Sequence, residues 1–296
     1  MGLRVDPTYR QRRFGVEVRR LREAAGLTVS EAAQVLGMRQ PHVSNVEAGR
    51  TSLSAERLQK LAQALSGTYT YPVDALLALG RESGKGWWSD YHATLGANHL
   101  DLAELEAGAV ALHSYELLLV PGLLQTFEYA TAVHSSGFSP AVNDVRETAV
   151  EFRMQRQRVL TGDQPPRLHA IIHEAALRVL YGGRAVMRDQ LLRLIEASRL
   201  PNVTIQVISL EDEGRSAFSH PFMLIEPDVV ELGTVLIDQL GKAQYLDDRQ
   251  SVAEYGQSFA RLSELALPPV DADAVPEART AKDSLGLIQH ILYPLL

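Results

Sequence analysis

The sequence has no cysteine among its 296 residues. That absence excludes disulfides, thiolate metal sites and cysteine nucleophiles, and it gives no hint of secretion. No stretch stays apolar for about 18 residues, so no membrane-spanning helix is expected. The opening run, MGLRVDPTYRQRRFG, lacks the apolar core of a secretory signal. The expected location is therefore cytoplasmic, with no membrane partner. Neither a Gly-x-Ser-x-Gly elbow nor a phosphate-binding Walker loop occurs. Positive charge is scarce overall: 29 Lys+Arg face 36 Asp+Glu, for a net charge of −7. Taken whole, that balance is discouraging for a nucleic-acid binder.

The distribution of charge along the chain points the other way. Residues 1–80 hold 11 Lys+Arg against 7 Asp+Glu, and the remainder holds 18 against 29. A basic front and an acidic body suit a module that holds phosphates and a body kept off the duplex. Chance segregation can produce a difference of this size, so charge alone does not establish DNA binding. The 46% hydrophobic and 22% charged fractions are those of an ordinary soluble protein, and the length allows two domains.

The most informative stretch is Thr28 to Gly49, TVSEAAQVLGMRQPHVSNVEAG. Thr28 is placed to cap a helix, with Glu31 at the capping-box position. Ala32, Ala33, Val35 and Leu36 are expected to make its apolar face. Gly37 supplies the positive φ at which the chain leaves that helix. Arg39-Gln40-Pro41 opens a second helix, where proline fits the first turn. Val43 and Val46 point inward, which leaves Arg39, Gln40, His42 and Asn45 outward. This is the pattern of a helix-turn-helix whose second helix enters a major groove.

The ordered set Gly26-Leu27-Thr28, Gly37, Ser44-x-x-Glu47 and Gly49 resembles the Xre type closely, over roughly the first 75 to 80 residues. The resemblance implies base contacts from Arg39, Gln40, Pro41, His42 and Asn45. The chemistry agrees, because Arg can donate twice to guanine, and Gln and Asn can pair with adenine. Ser44, Thr28 and Arg50 are expected at phosphates. Glu47 is expected to be structural. Many relatives carry Gln after the capping Thr, and Val29 here removes that phosphate anchor.

Around this motif, residues 4–13 read as an arm bearing Arg4, Arg10, Arg12 and Arg13. A helix over 14–25 follows. A fourth helix starts after Ser54, with Leu58, Leu61 and Leu65 inward, and a fifth covers 72–79. The expected fold is thus an all-α N-terminal helix-turn-helix domain of five helices over 1–80. It is joined by a linker, 81–88, to an α+β C-terminal domain with a small sheet covered by helices. That sensor and dimerisation domain spans 89–268, and 269–296 forms a spacer and a docking terminal helix.

Within the body, helical spacing covers 89–113, 123–136, 141–161, 174–180, 184–199 and 246–265. Strands are expected at 167–173, 203–208, 221–226 and about 229–238. From Trp88 on, the chain resembles the WhiJ-like domain of unknown function that follows an Xre-type motif in many regulators of actinobacteria. The matching residues include Tyr115-Glu116, Val120-Pro121-Gly122-Leu123-Leu124-Gln125-Thr126 and Arg153-x-x-Arg156-Gln157. Further matches are His173-Glu174-Ala175-Ala176-Leu177-Arg178 and Pro201-Asn202-Val203-Thr204-Ile205-Gln206-Val207.

His169, His173 and His220 are candidates for a metal set beside Glu174. They lack the His-Glu-x-x-His order, so the structural reading is preferred. Catalytic residues, cofactors and metals are expected to be none, and the chain is not expected to be an enzyme. The expected function is a sequence-specific DNA-binding transcriptional regulator, a homodimer on a double-stranded operator. Its body receives a signal, either a small protein encoded by a neighbouring gene, as the resemblance implies, or a small-molecule ligand. The alternative is an antitoxin-like protein that binds a small partner protein and autoregulates its own operon.

Overall fold

A computed structural model describes residues 7–64, 76–77, 79–80, 86–138, 143–211, 220–229, 232–239, 242–273 and 282–296. The chain divides into two compact units. One comprises residues up to 92 with 99–105; the other comprises 93–98 and 106–296.

The first unit is helical: α1 (Tyr9–Ala24), α2 (Val29–Leu36), α3 (Gln40–Glu47) and α4 (Ala55–Gln63). Phe14, Val18 and Leu21 of α1, Leu36 of α2, Val43 and Val46 of α3, and Leu58 and Leu61 of α4 share one core. Such burial is worth about 1.5–3 kcal/mol for each large side chain. Leu76 and Leu77 join that core, while 65–75 and 78 lie outside the described residues. The expected inward Leu65 and most of the expected fifth helix fall there, and Arg4 likewise lies outside the described residues.

The structure corrects two expectations in this unit. Residues 9–13 are not an arm, because α1 starts at Tyr9. Thr8 caps it, and Gln11 closes a capping box on Thr8. Arg10 and Arg13 are consequently buried, and Arg13 pairs with Glu17 at 2.9 Å. Val35 is 39% exposed, so the inward face of α2 is Ala32, Ala33 and Leu36. A one-residue step along a helix turns Val35 onto the flank.

The second unit is built on a six-stranded sheet: β1 (Ala111–Glu116), β2 (Arg167–His173), β3 (Val203–Ile208), β4 (Phe222–Glu226), β5 (Thr234–Gln239) and β6 (Lys242–Leu246). The strand order is β3-β2-β1-β4-β5-β6. β1, β2 and β3 are parallel, while β4, β5 and β6 pair antiparallel. The parallel strands need helical crossovers. α6 (Phe127–Val133) and α7 (Asn143–Arg156) lead from β1 to β2. α8 (Glu174–Arg178) and α9 (Arg184–Ala197) lead from β2 to β3. One face carries Tyr115, Ile171, Phe222, Leu224 and Val235 against Phe259 and Leu262 of α10 (Arg249–Leu265). By alternation, Leu112, Ser114 and Glu116 take the opposite face.

The sheet corrects the sequence reading twice. Residues 89–113 are not one helical stretch: α5 (Ala97–Ala107) ends, and the central strand β1 begins at Ala111. Residues 242–246 form edge strand β6, and α10 starts only at Arg249 behind the cap Asp248. The apolar end docks within its own unit. α11 (Ser284–Leu292) buries Leu285, Ile288, Ile291 and Leu292, and Ser284 Oγ accepts from the Val207 N–H at 2.9 Å. Leu267 and Val270 also donate to carbonyls of β3, so the edge of the sheet is covered.

Candidate nucleic-acid interface

α2 begins in a closed capping box. Thr28 Oγ1 accepts from the Glu31 N–H at 3.2 Å. Glu31 Oε2 accepts from the Thr28 N–H at 2.8 Å and from its hydroxyl at 2.7 Å. Thr28, through its hydroxyl and then its N–H, holds the Glu31 carboxyl below its ordinary range. Gly37 ends α2 at φ +60°, in the left-handed region glycine reaches without strain. Met38 then donates to the Ala33 carbonyl, and Arg57 Nε donates to that of Leu36. The Ala33 and Leu36 carbonyls at the end of α2 are thus satisfied, which fixes the turn. Val29 packs against the core of the unit.

α3 opens at Arg39, whose side chain makes no cap bond, with Pro41 in the first turn. Val43 and Val46 are buried to 2% and 1% exposure. That leaves Arg39, Gln40, Pro41, His42 and Ser44 exposed. Asn45 is half-buried and its Oδ1 accepts from exposed Arg50 Nη1 at 3.3 Å. The side chains singled out on α3 are thus exposed or half-buried, with Arg50 just past the end of the helix. Thr28 caps α2, with its hydroxyl engaged by Glu31.

Two features that sequence reading missed hold α3 from behind. Arg22 Nε and Nη2 donate to the Glu47 carboxylate at 2.6 and 3.2 Å, and Arg22 Nη1 donates to the Leu27 carbonyl at 2.7 Å. This bidentate pair ties α1 to the end of α3. Glu47 is thus structural, as its chemistry suggested. Gly15 lets the helices approach closely: a Cβ there would lie 2.5 Å from the Glu47 carbonyl oxygen. Arg22 carried a signal, being an arginine within an apolar helical face, but its partner stands 25 residues away.

In the α/β unit the three histidines of the candidate metal set serve separate local roles. His169 Nε2 bonds Gln206 Oε1 at 2.6 Å, His173 Nδ1 accepts from the Ala175 N–H, and His220 bonds the Tyr255 hydroxyl. Burial lowers the His169 pKa, with Gln206 opposing and His113 adding. Among the described residues, no three His, Asp or Glu side chains gather as a metal site.

Residues 18–71 match the family model described as Helix-turn-helix, which points to a sequence-specific DNA-binding regulator. Neither matched model describes an enzyme. No curated protein and no solved structure matches the chain. Residues 100–275, more than half of the sequence, match the model described as Domain of unknown function (DUF5753), and the chain belongs to that family.

Proposed function

We propose that the chain is a transcriptional regulator that reads an operator through α3 and acts as a homodimer. The observation that carries this reading is the row Arg39, Gln40, Pro41, His42 and Ser44, exposed on a helix that is anchored from behind. Arg39 and Gln40 stand at the N-terminal end, where recognition helices of this motif meet base edges. They are assigned to bases, with His42 and Asn45 beside them. Ser44, Thr28 and Arg50 are assigned to phosphates, which fix register without carrying sequence. Thr28 must share its hydroxyl with Glu31 in that role.

Two recognition helices must reach major grooves about 34 Å apart on one face of the duplex, and that geometry calls for a dimer. The α/β unit is assigned to dimerisation and to receiving the signal. Its resemblance to the WhiJ-like domain of actinobacterial regulators supports that division of labour.

The test starts from an operator selected out of random DNA. Arg39→Ala or Gln40→Ala should weaken binding to it by roughly 1–3 kcal/mol and bind random DNA almost unchanged. Equal losses on both DNAs would remove these residues from base reading. Sedimentation of the full chain should give twice the chain mass at concentrations where it binds DNA. A monomer on the operator would end the dimer assignment.

A further inference from the structure

The face of the sheet opposite α10 carries ionisable side chains that close no ion pair among the described residues. Ser114 of β1, Met223 of β4 and Leu236 of β5 are in register across three strands. Two residues further along, in the same direction, stand Glu116 and Asp238. They share a face and lie two strands apart, about 10 Å between backbones. Arg153 of α7 interacts electrostatically with both.

Its surroundings are tightly built. Arg153 Nη1 donates to Gln125 Oε1 at 2.7 Å, and Gln125 Nε2 donates to the Val120 carbonyl at 2.7 Å. Gln157 Nε2 holds the carbonyls of Gly122 and Gln125. One turn on, Arg156 is closed by a bidentate pair with buried Glu106, at 2.8 and 2.6 Å. Arg153 has no such partner. Its Nε and Nη2 make no hydrogen bond or ion pair among the described residues, nor do the carboxylates of Glu116 and Asp238. Gly122 lies beside the guanidinium, where an added Cβ would stand in ordinary contact, 3.9 Å from Nε.

A further polar atom points the same way. Ser114 is fully buried on this face, one row before Glu116, and its Oγ finds no partner among the described residues. Burial pushes the Glu116 carboxyl up to about 8, with Asp238 adding and Arg153 opposing. Burial likewise brings Arg153 down to about 10, with Arg156 adding. Drawing such groups out of water without pairing them is costly to the fold.

A lone anion here would face two acids, and a lone cation would face Arg153. A ligand with both charges on one carbon meets all three groups. We propose that the space between Glu116, Asp238 and Arg153 binds a free α-amino acid, its carboxylate on the Arg153 guanidinium and its ammonium between the two acids. Arg offers the forked donor geometry that a carboxylate accepts. Asp238 is the most exposed of the three. Such a ligand gives chemical content to the signal that the α/β unit receives, and only its regulatory meaning rests on that reading.

The experiment uses the full chain without DNA. The proteinogenic α-amino acids are added singly at about 1 mM in thermal unfolding and titration calorimetry. One of them, or a few of similar side chain, should raise the unfolding temperature. Its N-acetyl form and its decarboxylated amine should each bind at least about tenfold more weakly to the unaltered protein. Asp238→Asn should weaken the same amino acid by about tenfold without lowering the unliganded unfolding temperature. Silence across the whole set, equal binding of either charge-deleted form, or undiminished affinity in Asp238→Asn would overturn the proposal. Because no DNA is present, a failure here leaves the operator reading intact, and the reverse also holds.

Discussion

In the helical unit, Arg22 and Arg13 are buried against Glu47 and Glu17 in direct ion pairs. In the α/β unit, Glu116 and Arg153 are drawn out of water at a distance, without touching. Both arrangements place ionisable groups where hydrophobic side chains would be cheaper. The difference lies in what the charge is for. A closed pair such as Arg22–Glu47 satisfies its own hydrogen bonds and fixes one helix on another. An open set leaves donors and acceptors for a molecule that is not part of the chain. The α/β unit contains both kinds side by side, since Arg156–Glu106 is closed and Arg153 is not.

The sharpest way to break this contrast is to remove one member of a closed pair. Glu47→Ala leaves the Arg22 guanidinium buried without its carboxylate, although one donor keeps the Leu27 carbonyl. Breaking a buried pair in this way costs roughly 3–5 kcal/mol. Urea unfolding of the helical unit should show that loss. A cost below about 1 kcal/mol, the value of a surface pair, would make Arg22–Glu47 ornamental.

The open set makes the opposite prediction, with a pH signature. The Glu116 carboxyl is raised from 4.5 to about 8 in the fold. Above 4.5 the unfolded chain loses this proton while the folded chain keeps it, so stability contributed by the protonated form is full below 4.5 and falls as pH rises to about 8. Glu116→Gln removes that slope. The variant should gain on the natural chain between those limits, by on the order of 3 kcal/mol, because the group keeps some contact with water. Stability curves that run parallel from pH 4 to pH 9 would place Glu116 in ordinary solvent.

These two sites also divide what the sequence shows from what it hides. The turn of the helix-turn-helix was legible because its causes are local: a cap at Thr28, an acid three residues on, a glycine at 37 and a proline at 41. The Thr8–Gln11 box has the same form and was equally readable, yet the arginines around it suggested an arm. β1 was hidden for a different reason. Its sequence, ALHSYE, carries His113, Ser114 and Glu116 among its apolar residues, so no run of Val or Ile marks it as central. Its strand character comes from β2 and β4, which are far away in sequence. Glu116, Arg153 and Asp238 come together only once that sheet exists. Composition and spacing contain no trace of their meeting, whereas the Gln125 and Arg153 motifs were visible as separate stretches.

The smallest expected effect lies between the two kinds of charge. Glu31 is exposed and partnered, held by Thr28 through hydroxyl and N–H. Its lowered pKa means the contact supports the fold above about pH 4.5 and is lost as pH falls through the folded value. Thr28→Ala removes the hydroxyl and should cost about 1 kcal/mol at neutral pH, the ordinary value of an N-cap. That cost should shrink at acid pH, where protonated Glu31 grips the hydroxyl less. DNA then separates the two roles assigned to Thr28. If its hydroxyl also holds a phosphate, Thr28→Ala weakens the operator and random DNA by the same factor, since a phosphate contact reads no sequence. If affinity for both DNAs is unchanged once the loss of folded protein is subtracted, Thr28 is a cap alone. The phosphate contacts of the motif then pass to Ser44 and Arg50.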